Sequence, residues 1–139
     1  MTNEHPARAA SQRSMKAVGE KTKTAWLDLF ADDAIIEDPV GVSPLDPTGK
    51  GHVGKAAIGV FWDTHIASSH IKFDIRGSYA CGNEVANVGI ITTTLPNGTT
   101  ALAEGVFIYK VNAQGKIVSL RAFWEFEKMM ASMTPPTKA

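Results

Sequence analysis

The sequence has little with which to build covalent or metal-held structure. It contains one cysteine, Cys81, in 139 residues. A lone thiol closes no intrachain disulfide and no cysteine zinc cage, so no oxidising compartment is required. Cys81 reads as a small, semi-buried residue. An excess of charge is also missing: 14 Lys and Arg balance 14 Asp and Glu. Nucleic acid and anionic membranes both demand a basic field, so neither is expected as a partner. A chain of zero net charge lacks self-repulsion, which favours self-association. No apolar run of signal-peptide or membrane-spanning length is seen, and a cytoplasmic location is expected. Walker A, CxxC, HExxH and GxSxG patterns are absent, which leaves no signature of those phosphate, metal or serine-nucleophile sites. His65 and His70 lack the i, i+4 spacing and a third ligand nearby, so no metal is expected. No cofactor is expected either.

What is present is the composition of a foldable chain, 44% apolar and 20% charged. At this length roughly two thirds of the unfolded surface is buried on folding, which is enough for a core. A single domain over residues 1–139 is expected, with 1–11 and 132–139 flexible. A helix is expected from Ser11 or Ser14 to Glu20, with Met15 and Val18 on one side. A second covers Lys23 to Phe30, with Trp26, Leu27, Leu29 and Phe30 as its apolar stripe. Residues 34–38 read as a strand with Ala34, Ile36 and Asp38 on one face. The run from Val40 to Gly54 is too rich in Pro and Gly for regular structure. Lys55 to Ser68 is the clearest helix: Ile58, Phe61, Trp62, His65 and Ile66 form one continuous face.

From Ser69 onward the period changes to two. Strands are expected near 71–80, 84–95, 100–111 and 116–126, with hairpin turns at Leu95–Gly98 and Asn112–Gly115. Thr134-Pro135-Pro136 reads as a disordered tail. Helices first and antiparallel strands after them indicate an α+β fold.

Two residues stand out against this pattern. Asp38 ends an otherwise apolar strand face, where a carboxylate is costly unless paired or functional. It reads either as a cap of the Pro39 turn or as a partly desolvated general base with a raised pKa. His65 lies on the apolar stripe of the long helix. It reads as a satisfied core residue or, if the stripe faces a cavity, as a hydrogen-bond donor to a ligand oxygen. Glu104 sits opposite the apolar parity of its strand and is expected to face outward or to lie at an interface.

The residues Leu29-Phe30-Ala31-Asp32-Asp33-Ala34 and Glu37-Asp38-Pro39-Val40-Gly41 closely resemble bacterial ketosteroid isomerase. Ala56-Ala57-Ile58 with Phe61, Asn83-Glu84, and the Gly115–Ala122 segment extend the match over about residues 12–125. With Phe61-Trp62-Asp63-Thr64-His65-Ile66-Ala67 and a Pro-containing insertion before it, the chain also resembles the actinobacterial branch, within the wider NTF2-like or SnoaL-like group. The resemblance implies a strongly curved, mostly antiparallel sheet wrapped around three N-terminal helices, enclosing a deep apolar pocket. It also implies a homodimer formed through the sheet and a small hydrophobic, steroid-like ligand. In that family, a well-known case of carboxyl pKa tuning, an Asp base moves a proton from C4 to C6 of the steroid while a Tyr and a protonated Asp hold the dienolate oxygen.

Carried onto this chain, the base falls on Asp38, the tyrosine position on Ser14 and the protonated Asp position on Phe107. The family's oxyanion donors are therefore replaced. The pocket wall implied by the resemblance is Gly89, Ile91, Phe107, Leu120, Ala122 and Trp124, with Phe61 and His65 from the helix. His65 is the expected substitute donor, with Ser14 beside it and Trp26 and Trp62 behind it through their indole N–H groups. The resulting reading is a steroid Δ-isomerase-like enzyme. The alternatives are a non-catalytic binder of small hydrophobic ligands and a polyketide-cyclase-like enzyme on the same fold.

Overall fold

The structure is a computed structural model that describes residues 4–136. The outermost parts of the two flexible ends expected from the sequence therefore lie outside the described residues. The first helix, α1, spans Pro6–Glu20 and so begins well before Ser11. His5 caps it: its Nδ1 accepts from the Ala7 N–H at 3.1 Å, and Pro6 supplies a pre-set φ at the first helical position. The stretch expected to be a frayed arm thus packs instead, with Ala7, Ala10 and Ser11 buried. Its contact face is made of small residues, so it carries little hydropathy periodicity.

The second helix, α2, covers only Lys23–Leu27. Phe30, expected at its end, opens strand β1, Phe30–Glu37. The reason is the sheet. Phe30 pairs with Ile117 on strand β6, Ile117–Trp124, in the one parallel ladder among the described residues. Its ring packs edge-on against Trp26, centroids 4.7 Å apart.

The expected loop runs from Val40 only to Gly51: His52–Val53 form a short strand, β2, antiparallel to β1, and Gly54 already opens the next helix. Buried Asp46 organises this loop by accepting from Thr48 Oγ1 at 2.7 Å and from the Gly51 N–H at 2.8 Å. These bonds hold its carboxyl below the usual range. Gly49-Lys50-Gly51-His52-Val53-Gly54 has the GxGxxG spacing of a phosphate loop. Here, however, the glycines serve the turn: a Cβ on Gly51 would stand 2.9 Å from the Ile36 carbonyl oxygen.

Helix α3, Gly54–Phe61, continues into a single π-helical turn, Trp62–Ile66. The remaining strands are β3, His70–Cys81, β4, Glu84–Thr94, and β5, Thr100–Val111. All four long C-terminal strands lie within a few residues of their expected bounds, and the α+β expectation holds. The sheet order is β2-β1-β6-β5-β4-β3. Cys81 is exposed at the β3–β4 turn rather than semi-buried.

Residues 125 and 126 do not extend β6. Phe126–Ser132 forms a fourth helix, α4, packed on β5. Beyond it Thr134 exchanges two 2.9 Å backbone hydrogen bonds with Thr100. The tail expected to be disordered is thus tied to the sheet edge up to that point.

The sheet bends sharply where glycines line up across it. Gly89 pairs with Gly105, which pairs with Trp124. A Cβ on Gly89 would lie 2.2 Å from the Asp74 carbonyl oxygen, and one on Gly105 would lie 1.9 Å from that of Phe123. Close backbone approach of this kind permits the fold of the sheet. With the bulge between Ile75 and Gly77 on β3, it makes one face concave. Helices α1 and α3 and the π turn close over that face.

Candidate active site

The concave face encloses a cavity of about 350 Å³, within the range of small-molecule sites. Strand register sets out its walls in levels. Leu120 and Tyr109 line the deepest one, with Ile36 and Val85 paired beside them in the buried core. Ala122, Phe107 and Asn87 form the next, and Trp124 the one after, where its register neighbours Gly105 and Gly89 bend the sheet. Towards the mouth come Ile91, Thr93 and Leu95, half-buried, with α4 above them.

Asp38 follows directly on β1 and keeps the expected face. The chain beyond it stays attached to β6, because the Val40 N–H donates to the Ala122 carbonyl at 2.9 Å. The Asp38 side chain lines the cavity and accepts a 2.6 Å hydrogen bond from Trp124 Nε1. Burial pushes its carboxyl pKa up; the Trp124 hydrogen bond and the nearby His52 pull weakly the other way. Among the described residues no Lys or Arg lines the cavity, and none forms an ion pair with Asp38. The carboxylate is therefore basic for its type, with one aromatic N–H to orient it.

The helical wall carries Phe61 and His65, their rings 5.0 Å apart. His65 sits in the π turn, half-buried, facing the cavity. Burial lowers its pKa, with a smaller push from His52, so the imidazole is neutral at physiological pH. The Lys21 ammonium fastens this turn by donating to the carbonyl of Ile66 at 2.7 Å and to that of Ser69.

The cavity floor is polar. Ser14 on α1 is buried and accepts from Trp26 Nε1 at 3.1 Å. Tyr109 lines the same floor from the sheet side. Burial raises the Tyr109 pKa to about 12; the Ser14 contact opposes that rise and the charge of Asp38 adds to it. Asn87 is buried one level up; its Oδ1 accepts from Ser78 Oγ at 2.7 Å and its Nδ2 donates to Ser11 Oγ at 3.1 Å.

Most of the residues singled out from the sequence thus come together. Asp38, His65, Ser14, Trp26, Phe61, Phe107, Leu120, Ala122, Trp124 and Ile91 all line the cavity. Trp62 does not. It is buried beside Trp26, ring centroids 5.1 Å apart, and belongs to the core. Gly89 acts through the bend rather than as a wall. Tyr109 and Asn87 were not among the expected site residues, although strand parity places Tyr109 on the face of Phe107 and Asn87 on that of Ile91. The α4 contribution, Phe126, Met129 and Met130 with Met133 just beyond, was hidden by the strand expectation for 116–126. No group of three His, Cys, Asp or Glu side chains among the described residues is placed to hold a metal ion. The chemistry on offer is proton abstraction by a desolvated carboxylate beside neutral hydrogen-bond donors.

Comparison with known proteins agrees with this geometry. The SnoaL-like domain model matches residues 11–120. The chain is 29% identical over 117 residues to a steroid Delta-isomerase of Nocardioides simplex, covering 84% of this chain and 88% of that one. It superposes with a TM-score of 0.86 on the Delta 5-3-ketosteroid isomerase of a Mycobacterium species, at 37% identity over 94% of this chain and 98% of that one. A Mycobacterium tuberculosis protein, solved in complex with estradiol-17beta-hemisuccinate, gives 0.86 at 36% identity over 94% and 99% of the two chains.

Proposed function

The chain belongs to the SnoaL-like domain family, and from that premise we propose that it isomerises a neutral ketosteroid-like substrate by proton transfer. Asp38 removes a proton from the carbon between the carbonyl and the double bond. The electron pair moves onto the carbonyl oxygen, forming a dienolate, and Asp38 becomes a carboxylic acid. Asp38 then returns the proton two carbons further along, the carbonyl re-forms and the double bond comes into conjugation. No electrons are gained or lost, so the reaction needs no redox cofactor.

One observation carries this reading: a carboxyl group whose basicity is raised by burial, held by a single indole N–H, in a cavity with no Lys or Arg among its described lining residues. A general base works best when its pKa approaches the operating pH. Phe61, Phe107, Leu120, Ala122 and Trp124 supply apolar contacts for the flat rings. His65, neutral on the opposite wall, donates to an oxygen of the bound molecule.

The test is spectrophotometric. A Δ5-3-ketosteroid added to the protein should develop the absorbance of the conjugated enone. Asp38→Asn should slow this by about 10²–10⁴-fold. Steroid binding with no turnover would favour the second reading, a non-catalytic carrier, to which the estradiol-17beta-hemisuccinate complex of the related protein lends support. The partner we propose is a second copy docked through the convex face of the sheet, where Val88, Val106 and Phe123 form one apolar row across β4, β5 and β6.

A further inference from the structure

We propose that the Tyr109 hydroxyl, which lines the cavity beside Ser14, is the donor that holds the enolate oxygen in the floor of the cavity. This inference rests on the proton-transfer reading above and names a residue for it. Enolate formation concentrates charge on one oxygen, and in a water-poor cavity that oxygen needs a donor about 2.7–3.1 Å away. Phe107, one level nearer the mouth on the same strand, has none to offer. Ser14 is too short to reach a ligand across the floor. Asn87 is engaged on both its oxygen and its nitrogen by Ser78 and Ser11.

Tyr109 differs because its side chain lines the cavity and its hydroxyl can accept and donate at once. The Trp26 indole nitrogen can only donate, so it occupies a lone pair of Ser14 Oγ. The single Ser14 proton is then free to point at the Tyr109 oxygen. That arrangement agrees with the sense of the Ser14 contact, which stabilises negative charge on the phenol. Tyr109 lines the cavity, so its own proton is left to serve a bound oxygen. Burial keeps the phenol protonated, with a pKa of about 12, so it remains a donor throughout the working pH range.

Position supports the same assignment. Tyr109 pairs with Leu120, and Phe107 pairs with Ala122, whose carbonyl holds the chain just after Asp38. Tyr109 therefore sits one pleat deeper than the base, close enough for the Asp38 charge to raise its pKa. A substrate oxygen resting on the floor leaves the carbons next to it level with Asp38. The small side chain at position 14 and the large one at position 109 are complementary: α1 yields the space that a hydroxyl from β5 fills.

Tyr109→Phe retains the ring and removes only the oxygen. If the wild type isomerises a Δ5-3-ketosteroid, the variant should lose about 10²–10³-fold in kcat and keep KM within about threefold. A kcat within threefold of wild type would overturn the assignment. If the wild type shows no turnover, the proton-transfer reading fails, and binding alone then decides Tyr109. The probe is a 4-ene-3-ketosteroid carrying ¹³C at C3, followed by its carbonyl stretching band. A band lowered on binding to wild type and restored in Tyr109→Phe supports the contact. An identical band in both proteins removes it, and failure of the wild type to bind the probe overturns both readings.

Discussion

Trp124 Nε1 donates to Asp38 Oδ1 at 2.6 Å, joining the end of β6 to the end of β1 across 86 residues of sequence. The bond favours the ionised carboxylate, while burial favours the neutral acid, and burial dominates. Removing the indole N–H leaves burial less opposed. Trp124→Phe should therefore move the acidic limb of the kcat/KM–pH profile upward, because that limb reports the free-enzyme base. An unchanged limb would mean that Trp124 does not tune Asp38. In His65→Ala the limb should stay in place, since the His65 pKa is lowered by its own burial and is not the group being read.

Asp38 also couples activity to stability. Its folded-state pKa lies above the ordinary 3.8. Its stabilising contribution is thus complete below about that value and is lost as pH rises through the folded pKa. At neutral pH the charged form costs stability. Asp38→Asn, inactive, should melt higher than wild type at pH 8, by about 4 °C for each kcal/mol recovered. The difference should shrink as the pH approaches 4. A variant that melts lower at pH 8 would show that the carboxylate is not destabilised by its site.

The place of Asp38 on the cavity face was legible because strand periodicity is a short-range property: Ala34, Ile36 and Asp38 share a face whatever the rest of the chain does. The same rule places Tyr109 with Phe107, whereas the family motif corresponds to positions 14 and 107 and carries no signal at 109. The α1 start was illegible because Ala7, Ala10 and Ser11 are small, and only close contact with the sheet buries them. Helix α4 was illegible for the opposite reason. It has no fully buried residue and exists by lying on β5. The π turn at His65 likewise follows from tertiary packing, with Lys21 holding the carbonyls at its end.

The bend of the sheet makes a sharp mechanical prediction. Gly89→Ala and Gly105→Ala each place a Cβ against a backbone carbonyl, at 2.2 and 1.9 Å. Backbone cannot yield as a flexible side chain does, so each change should cost about 3 kcal/mol and lower Tm by about 10 °C. Gly19→Ala is the control: nothing lies within 4 Å of the added Cβ, and Ala is the better helix former, so Tm should hold or rise. Near-wild-type melting of either sheet variant would show that the bend does not depend on these glycines.

The convex face carries the last prediction. Val88, Leu102 and Phe123 are 39%, 42% and 41% exposed. Val88 pairs with Val106 and Val106 with Phe123, so the apolar row crosses three strands without interruption. Such a row is unusual on a surface that faces water alone. It is flanked by Glu104 and Arg121, charges of both signs that a two-fold axis can bring together. Phe123 alternates with Ala122 and Trp124, so its side chain points away from the cavity. Phe123→Glu should therefore convert a sedimenting dimer into a monomer while leaving steroid affinity within about threefold of wild type, the added charge being unfavourable in a buried interface core. If wild type and variant sediment alike, the sheet face is not the dimer contact. If the variant loses steroid binding while still folded, the cavity depends on the partner copy for its shape.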